Sequence, residues 1–330
     1  MKSKNNNISM SKILTTAIKY LQNGYSVIPV NNLKNPTIQW GAMMYKPMDI
    51  QVAKTLFQDA YGIALLMGGK RNLTAIDVDL KYDISGDLWD RLKKEIGKDL
   101  LSKMWVNKTV GGGYHLIFSC SKVEGNMKLA CRATTDKEKI DTFNYEIEKG
   151  SSAEVALRSG LTDTQRVLIE TRGQGGYIVL PPTPGYEYIY GKIHEIIPEE
   201  YTTLIEICYS FNEYIKPVKN YALSKLERDK GKDLLAAFNQ SADVVKMLED
   251  HGWSQVGVDG TRIKMRRPGN VSSKCSGWFD TNSHIFYVFS TSTSFRANEG
   301  YSAVDVLLEL RYNGDNSRLN ELYRDIKENS

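Results

Sequence analysis

The chain has 330 residues, of which 41% are hydrophobic and 25% charged, a composition typical of a globular protein with about two domains. No apolar run approaches the roughly 20 residues of a membrane-spanning helix, and the polar start MKSKNNNISMSK lacks the apolar segment of a signal peptide; we therefore expect a cytoplasmic protein with no membrane partner. The net charge of +4 identifies no partner by itself, and four dispersed cysteines without a CxxC pair argue against a disulfide framework or a Cys-rich zinc site.

The first part of the chain mixes helical and strand patterns. Apolar spacing predicts a helix over 11–23, the strand YSVIPV and the turn NNLKNP. The patterns that follow predict, in order, a helix at 51–60, strands at 62–68 and 73–80, a helix at 86–105, a strand at 114–119, strands at 167–172 and 177–182, and a helix at 198–213. Residues 121–165 are charged and weakly periodic, which indicates an insertion of unassigned structure. This irregular order favours an α+β fold over a doubly wound sheet.

A second domain is predicted after a charged segment. Residues 214–232 contain a proline and six Lys or Arg against two acids, which is typical of a linker. The predicted domains are therefore 1–213 and 233–330. In the second, patterns predict a helix at 233–251, strands in RIKMRRP, SGWFD and HIFYVFS, and a helix at 301–311.

The stretch LTAIDVDL places two acids in an otherwise apolar strand. Side chains two apart in a strand share a face, so Asp77 and Asp79 project together. Adjacent carboxylates repel one another unless a cation lies between them or one is protonated. A hard cation such as Mg²⁺ or Mn²⁺ suits this pair, although a solvated surface strand explains a lone DxD motif at least as well.

The stretch TVGGGYHLIF suggests a phosphate contact. Gly111, Gly112 and Gly113 would let backbone N–H groups approach an anion closely. His115 lies on the strand face opposite Tyr114, so it need not belong to the core, and a histidine there can bind phosphate. The alternative is an ordinary glycine turn followed by an incidental histidine.

The stretch VLIETRGQGGYIVLPP places Glu170 and Arg172 on one strand face. Glu170 would be a third metal carboxylate, and Arg172 would bind a phosphate or a base-paired strand. An ion pair at a strand end is the alternative. Together the three stretches fit nucleotidyl transfer, in which two metals activate a 3′-hydroxyl for in-line attack on a nucleoside triphosphate.

These motifs resemble the primase-polymerase (Prim-Pol) branch of the archaeo-eukaryotic primase superfamily, as found in plasmids and phages. The resemblance covers about residues 12–190. It includes AIKYLQNGYSVIPV, the segment KNPTIQW with Lys34 and Trp40, the three stretches described above, and above all the run from GGY to PP. It implies a catalytic core with an RRM-like mixed sheet and flanking helices.

The resemblance also implies roles for individual residues. Asp77, Asp79 and Glu170 become the catalytic metal ligands for Mg²⁺ or Mn²⁺, and Glu170 stands where many relatives have Asp. His115 becomes a phosphate contact of the incoming nucleotide, with Arg172 also at the nucleotide site. The implied activity is synthesis and extension of primers on single-stranded DNA from nucleoside triphosphates. Because the sequence contains no GxxxxGK[ST] motif, a separate replicative helicase is the expected partner.

The C-terminal domain is expected to bind template and support initiation. The order of elements from RRPGNVSSK to VLLEL is similar to the zinc-binding domain of bacterial primases, but Cys and His do not fill the ligand positions, so the resemblance implies a small α/β zinc-ribbon domain without metal. Five basic residues could contact phosphates, and five aromatic residues could stack on bases. The basic residues are Arg262, Lys264, Arg266, Arg267 and Lys274, and the aromatic residues are Trp278, Phe279, Phe286, Tyr287 and Phe289. For the aromatic residues, burial in a small core is an equally good explanation.

Two other functions remain open at the level of sequence. A rolling-circle initiator would need a His-x-His metal motif, and the sequence has none. A non-catalytic nucleic-acid-binding module would not need three carboxylates together with His115.

Overall fold

The computed structural model describes residues 11–215, 229–269 and 274–328. The chain forms two compact units, Met1–Thr202 and Thr203–Ser330. The predicted linker 214–232 lies mostly outside the described residues, since 216–228 are not among them. The predicted domain boundaries therefore stay predictions.

Seven helices begin in the described part of the first unit, and the last of them continues into the second. They are α1 Lys12–Gln22, α2 Ile50–Leu56, α3 Leu88–Ile96, α4 Lys98–Ser102, α5 Asp136–Glu148, α6 Ala153–Thr162 and α7 Pro198–Ser210. Ser11 caps the start of α1, where its hydroxyl accepts a hydrogen bond from the N–H of Leu14.

Two sheets form the centre of the first unit. The strands are β1 Val27–Val30, β2 Gly62–Leu66, β3 Leu73–Val78, β4 Trp105–Lys108, β5 Tyr114–Ser119, β6 Lys128–Ala133, β7 Gln165–Arg172, β8 Tyr177–Leu180 and β9 Glu187–Tyr190. The smaller sheet has the order β1-β2-β8, and the six-stranded sheet has the order β6-β7-β3-β5-β4-β9.

One apolar cluster joins the two sheets. Leu73 and Ala75 of β3 and Ile117 of β5 belong to the same buried cluster as Ile28 of β1 and Ile63 of β2. Since side chains alternate along a strand, Asp77 lies on the same face of β3 as Leu73 and Ala75. The packing of the two sheets therefore positions the acidic residue at the edge of a rigid core.

The prediction of a mixed sheet is wrong for the described strands. Every ladder of the six-stranded sheet is antiparallel, and the parallel contact between Ser119 and Glu195 is an isolated bridge. The α+β class itself agrees with the structure. Antiparallel pairing brings residues of distant segments into direct register, and this register builds the site described below.

The single helix predicted over 86–105 is also wrong. Gly97 has φ +84°, a left-handed conformation that ends α3 and separates it from α4. The chain then enters β4 at Trp105, a strand that the sequence analysis missed because WVNK shows neither a clear helical nor a clear strand pattern.

The insertion over 121–165 is ordered. It contains β6 and the hairpin of α5 and α6. Thr135 and Glu138 form a reciprocal capping box at the start of α5, so this helix start carries a local signal that the charge content of the segment obscured.

After residue 228, the described residues of the second unit form four helices and a sheet of five sequential antiparallel strands. The helices are α8 Asp229–Ser241, α9 Val244–Glu249, α10 Ala303–Tyr312 and α11 Leu319–Glu328, and the strands are β10 Ser254–Asp259, β11 Arg262–Arg266, β12 Gly277–Asp280, β13 Ile285–Val288 and β14 Glu299–Tyr301. The helix predicted over 233–251 is divided at Asp243, whose side chain caps α9. The predicted likeness to a primase zinc-ribbon domain stays a prediction. Across the described residues no helix is both long and apolar enough to span a membrane.

Candidate functional site

A row of polar side chains crosses the six-stranded sheet. Directly paired residues of an antiparallel sheet project to the same face, and the pairing runs in register from β6 through β7, β3, β5 and β4 to β9. The row consists of Lys128, Glu170, Asp77, His115, Asn107 and Tyr188. Residues from three sequence motifs thus meet on one surface.

Arg172 links the two central carboxylates. Its Nε lies 3.6 Å from Oδ2 of Asp77, and its Nη2 contacts Oε1 of Glu170. The side chains of Asp77 and Glu170 are each 22% exposed. The guanidinium therefore supplies the positive charge that two neighbouring, half-buried carboxylates need.

The pKa of Glu170 reflects both its burial and the repulsion between these carboxylates. Burial raises the pKa of Glu170, and the negative charges of Asp77 and Asp79 raise it further, while Arg172 and Lys128 oppose them. A carboxylate surrounded in this way favours either a proton or a nearby cation. The acidic group is thus suited to hold added positive charge.

Asp79 lies just beyond the end of β3 and not within the strand, where it was predicted. Its N–H donates to the carbonyl of Leu168 at 2.9 Å, so the backbone still follows β7 at this point. Its Oδ2 lies 3.0 Å from Nζ of Lys81. Asp77 and Glu170 are in direct contact with the same guanidinium, and Asp79 lies close enough to affect the pKa of Glu170.

His115 is buried, contrary to the expectation that it need not belong to the core. It is 5% exposed, and its Nε2 lies 3.5 Å from Oδ1 of Asp77. Burial lowers the pKa of His115, against the opposing effect of Asp77. The imidazole is therefore held mainly in its neutral form next to the carboxylates.

The glycine run forms the turn of the β4–β5 hairpin. Gly112 has φ +83°, and a Cβ on Gly113 would lie 2.0 Å from the carbonyl oxygen of Val78. Gly113 therefore lets the hairpin pack against the end of β3, next to Asp79. Phosphate binding by Gly111, Gly112 and Gly113 stays a prediction.

Asn107 and Tyr186 are among the residues of the site that escaped the sequence analysis. Asn107 is fully buried in the polar row, and neither its Oδ1 nor its Nδ2 has a hydrogen-bond partner. The Tyr186 ring centroid lies 6.0 Å from that of His115, and burial, followed by the charge of Asp77, raises the pKa of Tyr186 to about 12. Asn107 could have been assigned to the site only if β4 had been predicted, and no local sequence pattern marks Tyr186.

The basic residues of the second unit lie mainly along β11. Arg262, Lys264 and Arg266 alternate along this strand, on the face that carries Trp278 of β12. The Arg262 guanidinium lies 4.2 Å from the Trp278 ring centroid, and Lys264 is 3.9 Å from Asp259. Arg267 and Lys274 lie outside the strands, and DNA binding by the five residues stays a prediction.

The proposed stacking role of the C-terminal aromatic residues is wrong. All five are at most 6% exposed, namely Trp278, Phe279, Phe286, Tyr287 and Phe289. They divide between two buried clusters on opposite faces of the sheet, as expected for strand alternation in a small core. These rings stabilise the unit and do not present a free surface to bases.

The acidic site fits a hard cation by its chemistry. Carboxylate oxygens are the donors that Mg²⁺ and Mn²⁺ prefer, and the space between Asp77 and Glu170 already accepts the positive charge of Arg172. In the described ranges no three His, Cys, Asp or Glu side chains are grouped closely enough to hold a metal ion. A metal ion placed between Asp77 and Glu170 would take the position of the Arg172 guanidinium.

Comparison with protein families gives the following match. The family described as bifunctional DNA primase/polymerase, N-terminal (Prim-Pol), matches residues 17–199, more than half of the chain. The matched segment contains every residue of the polar row. No curated protein sequence matches the chain.

Proposed function

The chain belongs to the bifunctional DNA primase/polymerase family, and from this premise we propose that it is a DNA-templated nucleotidyltransferase that synthesises and extends primers on single-stranded DNA. The observation that carries the proposal is the cross-strand register of Glu170, Asp77 and His115. It joins the acidic and histidine motifs of three separate segments into one site, with Asp79 at its edge.

In this proposal Asp77, Asp79 and Glu170 hold Mg²⁺ or Mn²⁺. When bound, the two cations supply Lewis acidity that activates a 3′-hydroxyl and neutralises charge on the triphosphate. The chain itself contributes the fixed position of the three carboxylates. Because β3 and β7 are paired in a rigid sheet, these groups reach the reacting atoms without a large reorganisation.

His115 and Arg172 have different tasks in the same site. His115, held against Asp77 and buried, contacts a phosphate of the incoming nucleotide through a nitrogen that donates a hydrogen bond. Arg172 now contacts Asp77 and Glu170, and with a metal ion on these carboxylates its guanidinium would be available to an anionic substrate. The substrates are nucleoside triphosphates and a single-stranded DNA template, and strand separation is assigned to a separate helicase, since the sequence contains no Walker A motif.

The proposal is tested by supplying the protein with single-stranded DNA, Mg²⁺ or Mn²⁺, and labelled NTPs or dNTPs, with and without an annealed primer. We expect products in both arms, which distinguishes an enzyme from a binding module. Template binding without any incorporation under either metal would contradict the proposal and favour a non-catalytic nucleic-acid-binding module.

A further inference from the structure

Lys34 is held in an unusual backbone conformation beside the site. It lies in the turn after β1 with φ +66°, a left-handed conformation that is unfavourable for a residue with a Cβ. The Lys34 N–H donates to the carbonyl of Asn31 at 2.9 Å, and the Tyr177 hydroxyl donates to the Lys34 carbonyl at 3.3 Å. Contacts from two segments therefore keep this lysine in place, and strain of this kind is concentrated at functional sites.

The Lys34 ammonium is directed towards the polar row. Its Nζ lies 5.7 Å from the Tyr186 ring centroid, and the Tyr186 ring centroid lies 6.0 Å from that of His115. Lys34 thus lies beside the site although it belongs to none of the three motif stretches.

Lys34 differs from Arg172 and Lys81 in its partners. Arg172 is paired with Asp77 and Glu170, and Lys81 with Asp79. In contrast, no acidic residue of the described chain forms an ion pair with Lys34, and its side chain is exposed. A contact of an exposed cation with an aromatic ring is weak, so an anion at this point would draw the ammonium away from Tyr186 readily.

We propose that Lys34 binds the polyphosphate of the incoming nucleoside triphosphate beside Tyr186 and His115. The inference rests on the proposed function, since it adds a residue to the same nucleotide site. An ammonium on a flexible stem is a suitable point charge for phosphate oxygens. The turn fixes the position of the Lys34 backbone, and the long, flexible side chain lets the ammonium extend to a phosphate.

The test compares equilibrium binding of ATP and of dATP, each with Mg²⁺, to the wild-type protein and to three variants. Lys34→Asn removes the charge and places a residue that tolerates the left-handed backbone, so its thermal stability is expected to be equal or higher. Lys34→Arg keeps the charge. Lys19→Ala removes an exposed lysine from α1 and is the matched control.

We expect Lys34→Asn to raise the Kd of the triphosphates about tenfold or more, as for loss of a charge-assisted hydrogen bond, while the Kd of AMP changes less than about threefold. Lys34→Arg is expected to stay within about threefold of wild type, and Lys19→Ala to be unchanged. Equal triphosphate binding by wild type and Lys34→Asn would overturn this inference and leave the proposed function standing. A wild-type protein that neither binds nor incorporates nucleotides would overturn both.

Discussion

At the scale of single residues, His115 differs from an ordinary surface histidine in burial and in charge. It contacts Asp77 through Nε2, and burial lowers its pKa. The neutral imidazole can donate one hydrogen bond without adding a positive charge that would have to be desolvated. Its function as a phosphate contact would therefore depend on position more than on charge.

Replacement of His115 by Ala is expected to raise the KM for nucleotide several-fold while the carboxylates continue to support turnover, because a ground-state contact to the triphosphate is lost. Steady-state kinetics with varied nucleotide concentration measure this effect. His194→Ala, which removes an exposed histidine, is the control. Unchanged KM and kcat in His115→Ala would make His115 an incidental core residue.

The sequence predicted the strand positions of single residues better than their surroundings. Asp77, Glu170 and His115 lie in strands as predicted, because each belongs to a short motif with a clear strand pattern, and their roles stay predictions. The contact of Arg172 with both carboxylates, and the burial of His115 and Asn107, depend on strand pairing between distant segments, which local patterns do not specify. For the aromatic residues of β12 and β13 the sequence left stacking and burial open, and the structure shows burial.

At the scale of elements, the β4–β5 turn supports the end of β3. Gly113→Ala would place a Cβ 2.0 Å from the Val78 carbonyl oxygen, so the end of β3 must move. We expect destabilisation of about 1–3 kcal/mol in urea unfolding and a marked loss of nucleotide incorporation, because Asp79 follows Val78 directly.

Gly111 provides the matched control for this turn. The nearest atom to a Cβ on Gly111 is Oγ1 of Thr109 at 4.0 Å, an ordinary contact distance. Gly111→Ala is therefore expected to retain the stability of the wild type. Equal effects of the two substitutions would show that the close approach of Gly113 to β3 has no importance for the site.

The α5 hairpin is attached to the sheet by an ion pair that depends on pH. A hydrogen bond from Arg132, together with hydrogen bonds from Thr135, lowers the pKa of Glu138 to about 2 against the opposing effect of burial. Because the pKa lies below the ordinary value of 4.5, the ionised form stabilises the folded state. This contribution is complete above about pH 4.5 and is lost as the pH falls towards 2.

Substitution of Glu138 by Gln keeps a residue suited to the capping box but removes the charge. We expect the melting temperature of Glu138→Gln to lie below wild type at neutral pH, and the difference to shrink between about pH 4.5 and pH 2. Thermal unfolding over this range measures it. A difference independent of pH would assign the effect to packing and not to the Arg132 ion pair.

Element prediction succeeded where one pattern was uniform. The strand at 73–80 and the helix at 11–23 agree with β3 and α1 within about two residues, since both have strong apolar periodicity. It failed where a single glycine or cap decides the outcome, as at Gly97 and Asp243. It also failed for edge strands such as β9, whose residues are all exposed and carry no buried face to be recognised.

At the scale of the whole molecule, the family match covers residues 17–199, and the role of the second unit must be argued from its charge. Since its aromatic residues are buried, phosphate contacts by the basic residues of β11 and the adjoining loop are what remains of the predicted template surface. Initiation without a primer requires tight binding of an unpaired template. Loss of these phosphate contacts should therefore affect initiation more than extension.

We expect the double substitution Arg266→Ala with Arg267→Ala to weaken single-stranded DNA binding and to reduce primer synthesis more than primer extension. The salt dependence of binding should become shallower by about 1.4 in its logarithmic slope, or about 0.7 for each lost phosphate contact. Arg324→Ala with Lys327→Ala, two exposed residues of α11, is the control for net charge. Equal primer synthesis by both double variants would make the second unit a scaffold or a docking element.

The central claim is that Asp77, Asp79 and Glu170 form a metal-dependent centre for nucleotidyl transfer. The most direct measurement is nucleotide incorporation on a primed single-stranded template with Mg²⁺ or Mn²⁺ by wild type, by Asp77→Ala, Asp79→Ala and Glu170→Ala, and by Asp99→Ala as an exposed acidic control. We predict that each of the three variants loses incorporation while folding and template binding persist, because removal of one of several mutually repelling carboxylates does not destabilise the fold. A wild-type rate in Asp79→Ala would contradict this account.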